Sequence, residues 1–141
     1  MKISTKGRYA LRLMLDLALC DGEVAVPLRD VAERQEISDK YLEQIVTQLA
    51  RGGLVRSVRG AGGGYLLTRK PAEYTVGEIL RQLEGSLAPV SCVNGGACCE
   101  RVDQCVTVEL WQQIQAAVDG VVDNVTLADL VKRYHEKNPN T

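Results

Sequence analysis

With 141 residues, 45% of them apolar, the chain is long enough for one modest core and short for two domains of ordinary size. No run approaches the roughly 18 apolar residues of a membrane span, and Asp16 splits the stretch that an export leader would need intact, so a cytoplasmic location away from membranes is expected. The net charge of −1 hides a basic first half, with 12 Lys and Arg against 8 Asp and Glu in residues 1–70, and an acidic second half with 5 against 10; cations clustered in this way draw a polyanion.

A first amphipathic helix is predicted from about Ser4 to Cys20. It places Ala10, Leu11, Met14, Leu15 and Ala18 on an inner face and Arg8, Arg12 and Asp16 on an outer one. Cys20 reads as a small buried residue. Pro27 suits the start of a second helix, because its missing N–H would be unpaired there, and Leu28, Val31 and Ala32 follow at helical spacing. After a short turn at Glu36 and Ile37, Ser38 is the expected N-cap of a third helix, in which Leu42, Ile45, Val46 and Leu49 form one buried stripe. Lys40, Tyr41, Gln44, Thr47, Gln48 and Arg51 should project from the opposite face, a set rich in groups that bond base edges and phosphates.

Gly52 and Gly53 stop this helix, and the period changes from about 3.6 to about 2, with Leu54, Arg56 and Val58 alternating with Val55, Ser57 and Arg59. Gly60, Gly62, Gly63 and Gly64 permit a tight reversal, after which Tyr65, Leu66 and Leu67 return as a second strand. Two helices, a short turn and a hairpin make a winged helix-turn-helix, with Arg56, Arg59, Arg69 and Lys70 around the wing. A nucleotide phosphate loop is the competing reading of the glycines, but no helix pattern follows them and no Gly-Lys-Ser/Thr is present. An ordinary hairpin on an unevenly charged surface is the plainer alternative.

Thr75 and Glu78 have the spacing of a capping box, which predicts a short helix from Val76 to Glu84 with Ile79, Leu80 and Leu83 inward and Gly85 as its stop. Residues 86–105 lack periodicity and hold four of the five cysteines, Cys92, Cys98, Cys99 and Cys105; a loop of about 20 residues in a compact domain is functional or disordered. An odd cysteine count without an export signal argues against a disulfide framework. Thiolates in a loop suit soft metals or iron-sulfur clusters, and Gly95 and Gly96 would let it fold around a cofactor. Neither a Cys-x-x-Cys pair nor a zinc-ribbon spacing is present, so from the residues alone a metal or cluster site, a thiol redox switch and incidental cysteines stand level. A Cys-His enzyme is disfavoured, because the one histidine, His135, lies in the polar C-terminal region, far in sequence from every loop cysteine.

A longer helix from Val106 to about Val122 carries Leu110, Trp111, Ile114, Ala117, Val118 and Val121 on one side. It is the expected dimer helix, since a reader of DNA half-sites gains from two recognition helices about 34 Å apart, although packing on its own core is the alternative. Thr126 and Asp129 cap a last helix with Leu127, Leu130, Val131 and Tyr134. The predicted fold class is mainly α. A winged helix-turn-helix with a small β-hairpin wing occupies 1–85, a cysteine-rich cofactor loop 86–105, and a long dimerisation helix with a C-terminal helix 106–141.

The stretches MKISTKGRYALRLMLDLA, SDKYLEQ, GLVRSVRGAGGGYLL and the loop CVNGGACCERVDQC together resemble the Rrf2 (Rrf-two) family of bacterial transcription regulators over nearly the whole chain. The N-terminal third is similar to its cysteine metabolism repressors, and the loop to its iron-sulfur cluster assembly regulators. The resemblance implies a dimer bound to a double-stranded DNA operator, repressor rather than activator, controlling cluster, iron or sulfur metabolism or a redox stress response. It implies that Tyr41, Glu43 and Gln44 contact or discriminate bases, with Lys40 and Arg51 beside them, and that Arg59 with Gly60, Gly62 and Gly63 forms a wing that enters the minor groove. Lys40 stands where cluster assembly regulators carry a small hydroxyl residue, a departure that bears on the operator sequence and not on DNA binding.

The same resemblance implies Cys92 and Cys105 as outer ligands of an iron-sulfur cluster, 2Fe-2S ahead of 4Fe-4S. The middle ligand falls on Cys98 counting forward and on Cys99 counting back. Val108 replaces the histidine that cluster assembly regulators use as fourth ligand, and Arg8 replaces the acidic residue that a nitric-oxide sensor presents from its partner chain. That leaves the second of the Cys98/Cys99 pair, Glu100, Asp103, Glu109, a small thiol or an open site. Two alternatives accompany this reading: a repressor controlled by thiol oxidation or a regulatory protein partner, and a metal or cluster carrier that keeps the helix-turn-helix only as a scaffold.

Overall fold

The computed structural model describes residues 2–20, 22–94 and 100–140. Within them the chain forms α1 (Thr5–Leu19), α2 (Leu28–Gln35), α3 (Asp39–Arg51), the hairpin β1 (Val55–Val58) and β2 (Gly64–Leu67), then α4 (Val76–Glu84), α5 (Val106–Val122) and α6 (Leu127–Lys137), with single 3-10 turns at Pro71–Glu73 and Ser91–Val93. The architecture is mainly helical, as the periodicities predict.

Side-chain caps fix most helix starts. Ser4, Ser38, Thr75 and Thr126 each accept a backbone N–H three residues on, a contact worth about 1 kcal/mol apiece. The box expected at Thr75 is half made, because the Glu78 carboxylate turns instead to the Arg69 guanidinium at 2.5 Å. α2 ends where Glu36 adopts a left-handed φ of 55°, and Ile37 N–H returns to the Ala32 carbonyl.

The α3 stripe of Leu42, Ile45, Val46 and Leu49 is fully buried against Ala10, Leu13 and Met14 of α1, Val31 of α2, Tyr74, Ile79 of α4 and Leu127 of α6. One expectation for α1 is corrected. Leu13 and Leu17 line the core beside Ala10 and Met14, Leu11, Leu15 and Ala18 are only half-buried, and Asp16, expected on the outer face, is 4% exposed. The cause is that α1 packs against α2, α3, α4 and α6, so little of it faces water. Burial is tolerated because Asp16 accepts from Arg34 Nε at 3.1 Å, Arg34 Nη2 at 2.7 Å and Gln35 Nε2 at 2.9 Å.

The hairpin pairs Val55 with Leu67 and Val58 with Gly64, and Val26 joins its edge through reciprocal bonds with Tyr65 at 3.0 and 2.8 Å. Gly64 makes that edge possible, since a Cβ there would lie 2.2 Å from the Val26 carbonyl oxygen. Tyr74, which the sequence did not single out, ties the wing to the body. Its buried hydroxyl donates to the Leu54 carbonyl at 2.7 Å and accepts from the N–H groups of Thr68 and Arg69 at 2.9 and 3.0 Å. α6 returns to the body through Leu127 N–H on the Tyr74 carbonyl at 3.0 Å and packs on α1. α5 meets the body at its far end, where Asp119 and Asp123 pair with Arg81 of α4, and Val108 is its one buried residue among those described.

Candidate nucleic-acid interface and cysteine loop

α3 presents Lys40, Glu43, Gln44, Thr47 and Arg51 to solvent, and with Gln48 and Lys6 of α1 these line an open groove of about 520 Å³. Lys6 was not anticipated, because only packing brings the first turn of α1 beside α3. Two expected outward residues are corrected. Tyr41 is half-buried, with its ring edge-on to Tyr9 at 5.6 Å, and Gln48 is half-buried, its backbone carbonyl accepting from Gln82 Nε2 at 2.8 Å. Both sit at the border of the stripe, where α1 and α4 close over α3.

At the wing, Gly63 N–H closes the turn on the Gly60 carbonyl at 2.9 Å, Gly60 and Gly62 take φ of 97° and 76°, and a Cβ on Gly63 would lie 2.3 Å from the Val58 carbonyl oxygen. Arg56 and Arg59 stand exposed on it. Arg69, expected there, is drawn away: it pairs with Glu78 and lies 4.3 Å from the centre of the Tyr74 ring. Among the described residues the ion-paired cations are Arg34, Arg69 and Arg81, whereas Lys40, Arg51, Arg56 and Arg59 have no carboxylate partner. Lys40, Arg51, Arg56 and Arg59 share this status with cations elsewhere on the surface, but they stand together on α3 and the wing, where a phosphate backbone can meet charges not spent on the fold.

The cysteine loop leaves α4 at Gly85. Cys92 lies exposed in the 3-10 turn Ser91–Val93, and Cys105 is the residue that opens α5. Cys98 and Cys99, with Gly95 and Gly96, lie outside the described residues. The Cys105 thiol is held below its ordinary value, first by the Thr107 hydroxyl at 3.2 Å and then by the N–H of Val108, so it loses its proton more readily than a free cysteine. A cleft of about 370 Å³ beside it brings in Asp103, Glu109 and Gln112, while Val108 is buried beneath. Glu100 is exposed, and Arg8 donates to the Thr5 hydroxyl at 2.9 Å. Among the described residues no three His, Cys, Asp or Glu side chains converge as a metal site. Cys20 is half-buried beside Arg34, and burial raises its thiol; His135 is exposed next to Tyr134. No described helix is long and apolar enough to cross a membrane.

A capped recognition helix, a short left-handed turn before it, and a glycine-closed basic wing define a DNA-binding winged-helix regulator. Residues 3–133 match the family model Rrf2, described as "Iron-dependent Transcriptional regulator". The HTH-type transcriptional regulator IscR of Serratia proteamaculans is 44% identical over 131 residues, 93% of this chain and 79% of that protein. Among solved structures, CymR, the global cysteine regulator of B. subtilis, superposes with a TM-score of 0.79 at 43% identity over 94% of this chain and 98% of that one. IscR of T. potens gives a TM-score of 0.79 at 42% identity over 97% and 90%. The chain belongs to the Rrf2 family of transcriptional regulators.

Proposed function

We propose that this chain is a cytoplasmic, homodimeric repressor whose operator binding is governed by an iron-sulfur cluster in the loop from Cys92 to Cys105. Residues 1–85 read DNA, 86–105 hold the cluster and 106–141 pair the subunits. Lys40, Glu43, Gln44 and Arg51 reach into the major groove, Tyr41 braces them from the helix border, and Arg59 with Gly60, Gly62 and Gly63 enters the minor groove. Cys92, Cys105 and at least one of Cys98 and Cys99 hold the cluster, with 2Fe-2S ahead of 4Fe-4S. Its targets are genes of cluster, iron or sulfur metabolism or of a redox stress response.

The observation that carries this reading is the position of Cys105. It is a free thiol, biased toward thiolate by the start of α5, at the point where the cysteine loop becomes the helix with the exposed apolar face. That donor set fits a soft metal centre. The family description as iron-dependent points the same way. When bound, a cluster supplies a tie across the loop that iron supply or oxidation can make or break. Cys105 fixes one end of the loop to α5, Cys92 carries the other end, and Asp103 and Glu109 offer oxygen donors beside Cys105.

The deciding experiment measures iron, acid-labile sulfide and zinc on protein purified without oxygen, with binding of the loaded and cluster-free forms to one operator. Iron and sulfide in equal amounts, lost in Cys92→Ala or Cys105→Ala, with unequal affinities of the two forms, is the expected result. Zinc alone, or no metal with intact DNA binding, moves the reading to a repressor controlled by thiol oxidation or a protein partner, in line with the likeness to CymR. Absent or salt-insensitive DNA binding would leave a cluster carrier.

A further inference from the structure

α4 is nine residues long, and neighbouring side chains on its last turns hold three different elements. Arg81 grips α5, donating to both carboxylate oxygens of Asp123 at 2.5 and 3.1 Å and to Asp119 at 2.8 Å. Gly77 lets the two helices approach this closely, because a Cβ there would lie 2.2 Å from Asp123 Oδ1. Gln82 grips α3 through the Gln48 carbonyl at 2.8 Å, and a Cβ on Gly52 would lie 2.4 Å from its amide. Glu84 accepts from the N–H and hydroxyl of Ser4 at the head of α1, at 2.9 and 2.5 Å. The cysteine loop begins directly afterwards, and Val93 and Asn94 share a cleft of about 310 Å³ with Arg81 and Asp119.

Adjacent residues of an α-helix point about 100° apart, so Arg81 and Gln82 face different neighbours from one rigid turn. A displacement of α5 or of the loop that moves Asp119 and Asp123 therefore drags Arg81 and turns Gln82 with it, which moves the last turns of α3. We infer that α4 is the coupling element between the cysteine loop and the recognition helix, with Arg81 and Gln82 as the two positioning residues that transmit the change. This rests on the cluster-governed reading above for what moves the loop. Neither residue lies on the reading face, so neither is a DNA contact.

The test uses full-length protein, cluster-loaded and cluster-free, on a duplex selected by the wild-type protein from random sequence. The wild type is expected to show a ratio of affinities between the two forms of about fivefold or more. Arg81→Met and Gln82→Met are expected to bring that ratio to within about twofold of unity while the cluster spectrum is kept, and the double variant to lose nothing further, because the two residues act in series. Retention of the wild-type ratio in both variants overturns the inference. A wild-type ratio of unity sinks the cluster reading instead. In that case the coupling is judged on cluster-free protein, where Arg81→Met must shift operator affinity by about threefold or more, and an unchanged affinity overturns it too. Should Arg81→Met fail to fold, Gln82→Met and Asp123→Asn carry the same comparison.

Discussion

α3 and α5 are both amphipathic helices with four or more large apolar residues, yet the chain treats them in opposite ways. The stripe of α3 is covered from every side, with Leu42, Ile45, Val46 and Leu49 at zero exposure. Along α5 the apolar side is covered only in part: Trp111, Ile114 and Val118 are half-buried, Leu110 is 48% exposed and Val121 63%, and Val106 at the helix start is 80% exposed. The reading head is thus completed within one chain, while α5 presents a contiguous apolar surface of the kind that marks an interface. The difference teaches where stability ends and regulation begins. A DNA-reading unit must keep its shape between binding events, whereas the helix after the cysteine loop leaves much of its apolar side uncovered within the described residues.

The sharpest way to break this comparison is to truncate one leucine in each helix. Leu49→Ala should cost about 2 to 5 kcal/mol, since it removes buried methyl groups and leaves a cavity. Leu110→Ala, half-exposed already, should cost under about 1 kcal/mol in protein dilute enough to be monomeric, but weaken self-association measured by sedimentation. Equal costs in dilute protein would mean that α5 is closed by its own chain after all. Next in size is Tyr74→Phe. It deletes only a hydroxyl, but strands the Leu54 carbonyl and the Thr68 and Arg69 N–H groups, which predicts a loss of about 2 to 3 kcal/mol by urea unfolding.

These two sites also mark what could be read from the sequence. The α3 stripe, the Ser38 cap, the bounds of α4 and α5 and the glycine turn follow from local spacing and turn chemistry, which the chain carries in adjacent residues. Tyr74, the burial of Asp16 on Arg34 and Gln35, and the capture of Arg69 by Glu78 depend on side chains brought together by packing, which no period encodes. The same limit applied at the DNA face. Lys40, Glu43, Gln44 and Arg51 stood where helical spacing put them, but Lys6 entered from α1, the Tyr41 ring turned to Tyr9, and Gln48 was half-buried beneath Gln82, neighbours that only the tertiary fold supplies. In the loop, the cysteine spacing alone left a cluster site, a redox switch and incidental thiols level, and only the family resemblance implied Cys92 and Cys105 as ligands, whereas the lowering of the Cys105 thiol needed Thr107 at the helix start.

The unpaired cations of the reading head give the next comparison. Arg59→Ala or Gln44→Ala should cost about 1 to 3 kcal/mol in operator binding, and discrimination against random duplex should fall with it. Arg69→Ala, already committed to Glu78, should leave operator affinity nearly unchanged and act on stability instead. Loss of affinity in Arg69→Ala equal to that in Arg59→Ala would place it back on the wing.

The smallest effect lies at the joint between the two regions, where Arg81 meets Asp123. The pair is more than a third exposed on both sides, so its worth in stability is about 0.5 kcal/mol and not the several expected of a buried pair. Its sign with pH is nonetheless fixed. The Arg81 guanidinium holds the Asp123 carboxyl below its ordinary value of 3.8, so folding binds fewer protons there than the unfolded chain does. The contribution is complete above that value and is lost as the pH falls through and below it. Urea midpoints of wild type and Asp123→Asn should therefore differ at neutral pH and converge under acid conditions, with no change in their difference between about pH 7 and pH 5. A difference that shrank already in that window would mean that another group, and not this carboxylate, sets the strength of the α4–α5 joint.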